Sequence, residues 1–395
     1  VDLFATTPGD LTVSGNQITT RPILVKSKKT HNVIVLINKP ASLVFTKDVT
    51  TKNQFDAAVT VSMNDLTAST GFFMANATGY KTLYPQNFQL TPNASMNAPV
   101  SIKVERAVAK VVVMANSGMP VTGGTVDNAE IKWAVDIKNT KMFWMRKQTW
   151  KLKQNGSEWE AGPIATEADF TSAGRDYLYA EDPNFTGHGT TSEFIKITAD
   201  DITNSLSTVS SPGTGYVAEY VPENTRQAAD QFRNVTTSVV LKLVYVPTGI
   251  TDAKTVGYYI YNGTAISDAE MKSYAADHNN IPSSFPDLGD LLTEYTGDLT
   301  VTPTASFTFK NLTFYLKGIN YYNIPIRHFM IQNTLMGYGR YGVVRNTIYQ
   351  INITGVKSPG YTAPDLQEWQ DDSESYISAE FTIMPWYIRE QGIDL

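Results

Sequence analysis

The stretch SIKVERAVAKVVVMAN, Ser101–Asn116, decides how the chain folds. Val104, Val108 and Val112 fall on one face of an extended chain, and Ala107, Ala109, Val111 and Val113 on the other. Apolar residues on both faces, with β-branched residues dominating, describe a strand covered on both sides inside a packed sandwich. The same style recurs in HNVIVLIN (His31–Asn38), SLVFTKD (Ser42–Asp48) and AEIKWAVDIKNTKMFWMRK (Ala129–Lys147), the last broken at Asn139–Thr140. It continues in RDYLYA (Arg175–Ala180), GYVAEYVPEN (Gly215–Asn224), TTSVVLKLVYVP (Thr236–Pro247) and VGYYIYNG (Val256–Gly263). ASFTFKNLTFYLKG (Ala305–Gly318), YYNIPIRHFMIQ (Tyr321–Gln332) and NTIYQINITGV (Asn346–Val356) complete the set. Strands at short spacing, separated by Gly, Pro and Asn turns, argue for antiparallel sandwiches and an all-β fold. Two helices are expected, at Ile266–His278, where Ser267 and Glu270 form a capping box, and at Pro286–Tyr295.

The chain has 395 residues, which makes two domains the natural count. Polar residues around Asn155–Gly156 place the expected boundary near 147–156. Domains are therefore expected at 1–149 and 150–375, with a separate last strand at 376–395. The formal charge of −6, without a basic block, argues against nucleic acid as a partner. Cysteine is absent, which removes disulfides, thiol chemistry and Cys-based zinc sites. No run of 18 apolar residues marks a membrane-spanning helix. The chain starts at Val1 rather than Met, so a trimmed N-terminus is expected.

Catalytic signatures are missing. The four histidines, His31, His188, His278 and His328, stand in no metal-binding spacing, and His328 reads as a packed structural residue. GYGRYG (Gly337–Gly342) precedes a strand rather than a helix, so it reads as a loop or hairpin and not a phosphate cradle. The pairs Asp200–Asp201 and Asp371–Asp372 read as solvated loops, and no cofactor or metal site is expected. Six Trp and 21 Tyr leave a glycan-binding surface open, although packing is their default role.

The last segment, YISAEFTIMPWYIREQGIDL (Tyr376–Leu395), alternates Ile377, Ala379, Phe381 and Ile383 on one face against Ser378, Glu380 and Thr382. Pro385 cannot donate to a ladder and so sits at an edge or kink, after which Trp386 and Ile388 resume the apolar face. Such a strand either closes its own domain or completes the groove of another subunit. EWQDDSESY (Glu368–Tyr376) reads as an acidic linker ahead of it.

VERAVAKVVV (Val104–Val113), YVAEYVPENT (Tyr216–Thr225), YYNIPIRH (Tyr321–His328) and above all YGRYGVVRNTIYQINITGVKSPG (Tyr338–Gly360) resemble recurring blocks of the Bacteroidales fimbrillins, closest to the minor-fimbrillin branch. ISAEFTIMPWYIREQ is similar to that family's C-terminal strand. These are type V pilus subunits. The resemblance implies two tandem transthyretin-like β-sandwich domains with a C-terminal donor-strand extension, the acceptor groove lying in the first. It implies a non-enzymatic shaft subunit of a fimbrium that serves adhesion or biofilm formation. Polymerisation would be head-to-tail, through Ile377, Ala379, Phe381, Ile383, Pro385, Trp386 and Ile388. Implied partners are identical subunits, anchor and tip fimbrial proteins, and a host protein or glycan. Membrane contact would be confined to a lipid anchor on an exported precursor, whose N-terminus is trimmed at the surface; the absence of Cys suits the trimmed form. A surface glycan-binding adhesin module is the alternative.

Overall fold

The computed structural model describes residues 11–14, 17–26, 28–57, 59–68, 71–115, 118–147, 150–155, 158–163, 179–186, 193–208, 217–329, 338–364 and 387–394. Strands dominate, and the fold is all-β. The opening stretch forms two strands rather than one, Val104–Arg106 and Ala109–Ala115. Ala107 and Val108 between them are buried in one core, while Ala109, Val111, Val113 and Ala115 enter another. The interruption hands the chain from one packed body to the next.

The larger body is a sandwich. Its front sheet runs Ser207–Thr208, Ala109–Ala115, Thr347–Gly355, Tyr387–Asp394, with Ala218–Val221 also paired to Ala109–Ala115. Its back sheet joins Ser238–Pro247 to Gly124–Val126 and Lys132–Asp136 on one side and to Ile319–Pro325 on the other. Val111, Val113, Tyr349, Ile351 and Ile353 from the front meet Trp133, Val135, Val239, Leu241 and Leu243 from the back. Both sheets cross the 149/150 boundary expected from the sequence, because strands at 109–136 hydrogen bond with strands at 238–355. The front sheet also corrects the antiparallel expectation. Ala109–Ala115, Thr347–Gly355 and Tyr387–Asp394 run parallel, and the back-sheet strands lie in the long connection between the first two.

The smaller core gathers Leu43, Phe55, Leu66, Phe73, Ala75, Ala107 and Val108 around Met142, Trp144 and Met145. Its strands are short and paired in twos: His31–Val33 with Lys81–Leu83, Met74–Asn76 with Val104–Arg106, and Val59–Thr60 with Lys141–Met142. The strand expected over Ser42–Asp48 is absent; turns stand at its two ends and its middle forms no regular element.

A module is inserted between the neighbouring back-sheet strands Ser238–Pro247 and Ile319–Pro325. Gly257–Tyr261 and Thr264–Ser267 form a hairpin around Asn262–Gly263, both at positive φ as a two-residue turn requires. Leu312–Leu316 and Phe307–Phe309 complete four strands. Alternation gives the sheet two jobs. Tyr259, Tyr261 and Phe314 bury against the helices Asp268–Ala276 and Leu288–Glu294, while Tyr258 and Tyr315 stack at 4.9 Å within the main sandwich core. Both expected helices are present, and Ser267 and Glu270 make both capping-box bonds.

Candidate functional site

The last strand, Tyr387–Asp394, lies parallel to Thr347–Gly355, with Ile388 opposite Ile348 and Gln391 opposite Ile351. It ends the sheet order, so its far edge has no strand partner among the described residues. Of the residues expected to carry polymerisation, Ile388 lies in this strand. Ile377, Ala379, Phe381, Ile383, Pro385 and Trp386 lie outside the described residues.

A second edge lies in the smaller core. The run Val33–Ile37 is five consecutive branched apolar residues, and all five are only half-buried. One side is engaged. Val33 belongs to the strand paired with Lys81–Leu83, Val35 N–H donates to Asn76 Oδ1 at 2.8 Å, and Ile37 exchanges backbone hydrogen bonds with Met74 at 2.9 and 3.0 Å. Asn76 is itself buried and also donates to the Val33 carbonyl at 3.0 Å, so one side chain substitutes for a missing ladder rung. In an extended run the backbone groups of the alternate residues, Ile34 and Leu36, point to the opposite side. Among the described residues, neither makes a backbone hydrogen bond there. Their side chains rest on the smaller core. A run apolar on both faces belongs inside a sheet, and here it stands at a sheet edge. HNVIVLIN showed this run in the sequence; its half-exposure could come only from the fold.

A buried ionic network joins the two bodies. Arg345 donates Nε to Glu223 Oε2 at 2.7 Å and its backbone N–H to Oε1 at 3.1 Å. The same guanidinium reaches the carbonyls of Trp144 at 3.1 Å and Phe143 at 2.8 Å, in the chain that supplies the smaller core. Arg146 grips Glu105 with two hydrogen bonds of 2.7 and 2.8 Å and donates to the Arg345 carbonyl. Two carboxylates are thus matched by two guanidiniums away from water, the geometry in which such pairs hold. Nearby, buried Asp182 accepts from Thr225 N–H at 2.6 Å, Asn184 N–H at 2.6 Å and Asn139 Nδ2 at 3.2 Å. Burial pushes its carboxyl up to about 7, opposed by the Arg226 charge and the two backbone N–H donors.

His328 is the structural residue expected, 2% exposed with Nδ1 2.7 Å from the Tyr349 hydroxyl. His188 and Asp371–Asp372 lie outside the described residues, and Asp200–Asp201 sit in a short exposed helical turn. Among the described residues no group of acidic and His side chains could hold a metal ion, and no helix is long and apolar enough to cross a membrane. Trp133 and Trp144 are buried, one in each core, and serve packing.

The described residues thus present a parallel last strand at one sheet edge and a half-buried apolar run beside the smaller core. Residues 313–392 match the family model described as major fimbrial subunit protein type IV, fimbrillin, C-terminal. The matched region contains the blocks Tyr321–His328 and Tyr338–Gly360 that carry the resemblance in the sequence. No curated protein matches the chain. Among solved structures, a fimbrilin from Porphyromonas gingivalis W83 aligns at 13% identity and a TM-score of 0.36, over 92% of this chain and 80% of that one. A candidate cell adhesion protein from Parabacteroides distasonis aligns at 14% identity and 0.36, over 89% and 74%.

Proposed function

We propose that this chain is a structural, non-enzymatic subunit of a cell-surface fimbria, exported as a lipoprotein precursor and polymerised head-to-tail by strand exchange. Support for the fimbrial class comes from the family match, which includes most of the last strand. The observation that carries the mechanism is the apolar edge at Val33–Ile37, whose outward backbone groups at Ile34 and Leu36 have no partner among the described residues.

In the free subunit, Tyr387–Asp394 pairs along its own front sheet. In the polymer, that strand leaves, and Ile377, Ala379, Phe381, Ile383, Trp386 and Ile388 of one copy complete the Val33–Ile37 edge of the next. Pro385 supplies the kink between the two strand halves. Exchange trades one set of ladder bonds for another of similar strength. The net gain comes from covering the remaining exposed half of four to five Val, Ile and Leu side chains, roughly 3–7 kcal/mol at about 1.5–3 kcal/mol per full burial. Because donor and acceptor occupy different surfaces, the contact is heterologous and propagates as a filament.

Deleting Tyr376–Leu395 tests this reading. Loss of surface filaments with a folded, secreted subunit is the expected result, and filaments of normal length would sink it. Phe381→Asp is the milder probe and acts in the same direction.

A further inference from the structure

The open edge carries a collar of one charge. From Arg21 to Lys52 the chain has seven basic residues, Arg21, Lys26, Lys28, Lys29, Lys39, Lys47 and Lys52, against one acid, Asp48. All eight are exposed. Lys28 and Lys29 lie in the bend that leads into His31–Val33, where the Lys26 carbonyl meets His31 Nε2 at 2.8 Å. Lys39 follows the edge directly, and Lys47 lies in the next turn. Lys52 pairs with Asp56, and Lys39 donates to the carbonyls of Pro40 and Leu43. Among the described residues Lys26, Lys28, Lys29 and Lys47 form no ion pair. A chain of formal charge −6 therefore flanks this apolar run in sequence with positive charge.

The opposite charge precedes the last strand. Between Lys357 and Arg389 there is no Lys, Arg or His, and six carboxylates, Asp365, Glu368, Asp371, Asp372, Glu374 and Glu380, stand there. We infer that the basic collar is a docking surface for the acidic segment Asp365–Glu374 of a second copy, which it captures before the last strand enters the edge. The inference rests on the strand-exchange reading above and adds to it an electrostatic step. Opposed patches accelerate encounter more than they deepen affinity, and salt suppresses the effect over a screening length of about 10 Å at 0.1 M. The step fixes polarity as well, because collar against collar and acid against acid both repel.

Assembly of the full chain, followed by light scattering at about 0.01 and 0.5 M salt, tests it. Wild type should assemble at least about tenfold faster at low salt. The variant K26E/K28E/K29E/K47E should lose that advantage while keeping its Tm. Adding D365K/D371K/D372K/E374K to the same chain should restore assembly with itself and not with wild type. A collar variant with an unchanged rate and salt response overturns the inference; if deletion of Tyr376–Leu395 still stops assembly, strand exchange survives without it. Failure of the swapped chain, with rescue instead by reversing the exposed acids of the inserted module, Asp277, Asp287, Asp290 and Asp298, would move the occupant and also overturn it. Assembly indifferent to the deletion removes the strand reading and this inference together.

Discussion

Arg345 and Glu223 form an ion pair of 2.7 Å in which both side chains are 1% exposed. Neither belongs to a regular strand, yet together they fix where the two bodies meet, since Arg345 also holds the carbonyls of Phe143 and Trp144. Removing one partner leaves the other charge buried and uncompensated. Arg345→Met or Glu223→Gln should each cost about 3–5 kcal/mol in urea unfolding. The double change Arg345→Met with Glu223→Leu should recover part of that loss. Equal costs for the single and double variants would mean that the pair's charges are not what matters.

Asp182 gives the stability a pH dependence of defined sign. Its carboxyl ordinarily titrates near 3.8 and is pushed up to about 7 by burial. A folded value above the unfolded one means the contribution is fully present below about pH 4 and is lost as pH rises through about 7. Asp182→Asn removes this slope. It also turns an amide N–H₂ toward donors now served by carboxylate oxygens, a constant cost of about 1–3 kcal/mol. Urea midpoints from pH 4 to pH 8 should fall for wild type relative to a flatter, lower line for the variant. Parallel lines would place the titration elsewhere.

Tyr259 and Phe314 separate two kinds of loss in the inserted module. Phe314 is fully buried against Tyr259, with ring centroids 4.6 Å apart, and Phe314→Ala should cost about 3–5 kcal/mol. The Tyr259 hydroxyl is buried without a hydrogen-bond partner among the described residues. Tyr259→Phe should therefore be neutral or stabilising by about 1 kcal/mol. Calorimetry on the two variants checks both, and a clear loss on Tyr259→Phe would show that the hydroxyl is satisfied.

Gly342 closes the YGRYG motif at φ +132°, a conformation that L side chains avoid. A Cβ there would come within 2.5 Å of the Tyr179 hydroxyl and 2.9 Å of the Asn224 carbonyl. That hydroxyl donates to the Tyr341 carbonyl and accepts from Arg226 N–H, so it has no room to retreat. Gly342→Ala should destabilise by about 2 kcal/mol or more, measured as a fall in Tm. An unchanged Tm would mean that the loop simply re-forms.

Local chemistry was legible in the sequence, and tertiary assignment was not. The Ser267–Glu270 box predicts its helix because capping is a matter of three residues. The long strands Ser238–Pro247 and Thr347–Gly355 follow from β-branched runs in the same way. Ala107 and Val108 are apolar like their neighbours, so nothing in the alternation marks the point where the chain changes cores. Parallel pairing of Ala109–Ala115 with Thr347–Gly355 joins residues more than 230 positions apart, a distance over which local pattern is silent. Ser42–Asp48 has a strand's composition but no pairing neighbour among the described residues, and no strand forms. At the candidate site, the apolar run of HNVIVLIN was visible at once. Only the fold reveals that Ile34 and Leu36 face an edge that no described strand covers.

That edge gives the most direct test of strand exchange. The chain contains no cysteine, so Val35→Cys on one copy can be mixed with single cysteines placed in turn from Ile377 to Trp386 on another. Under oxidation, disulfide-linked dimers between copies should rise and fall with a period of two along the last segment, as alternate side chains face the same side of a strand. Filaments that form normally with no inter-copy link at any of these positions would contradict the account.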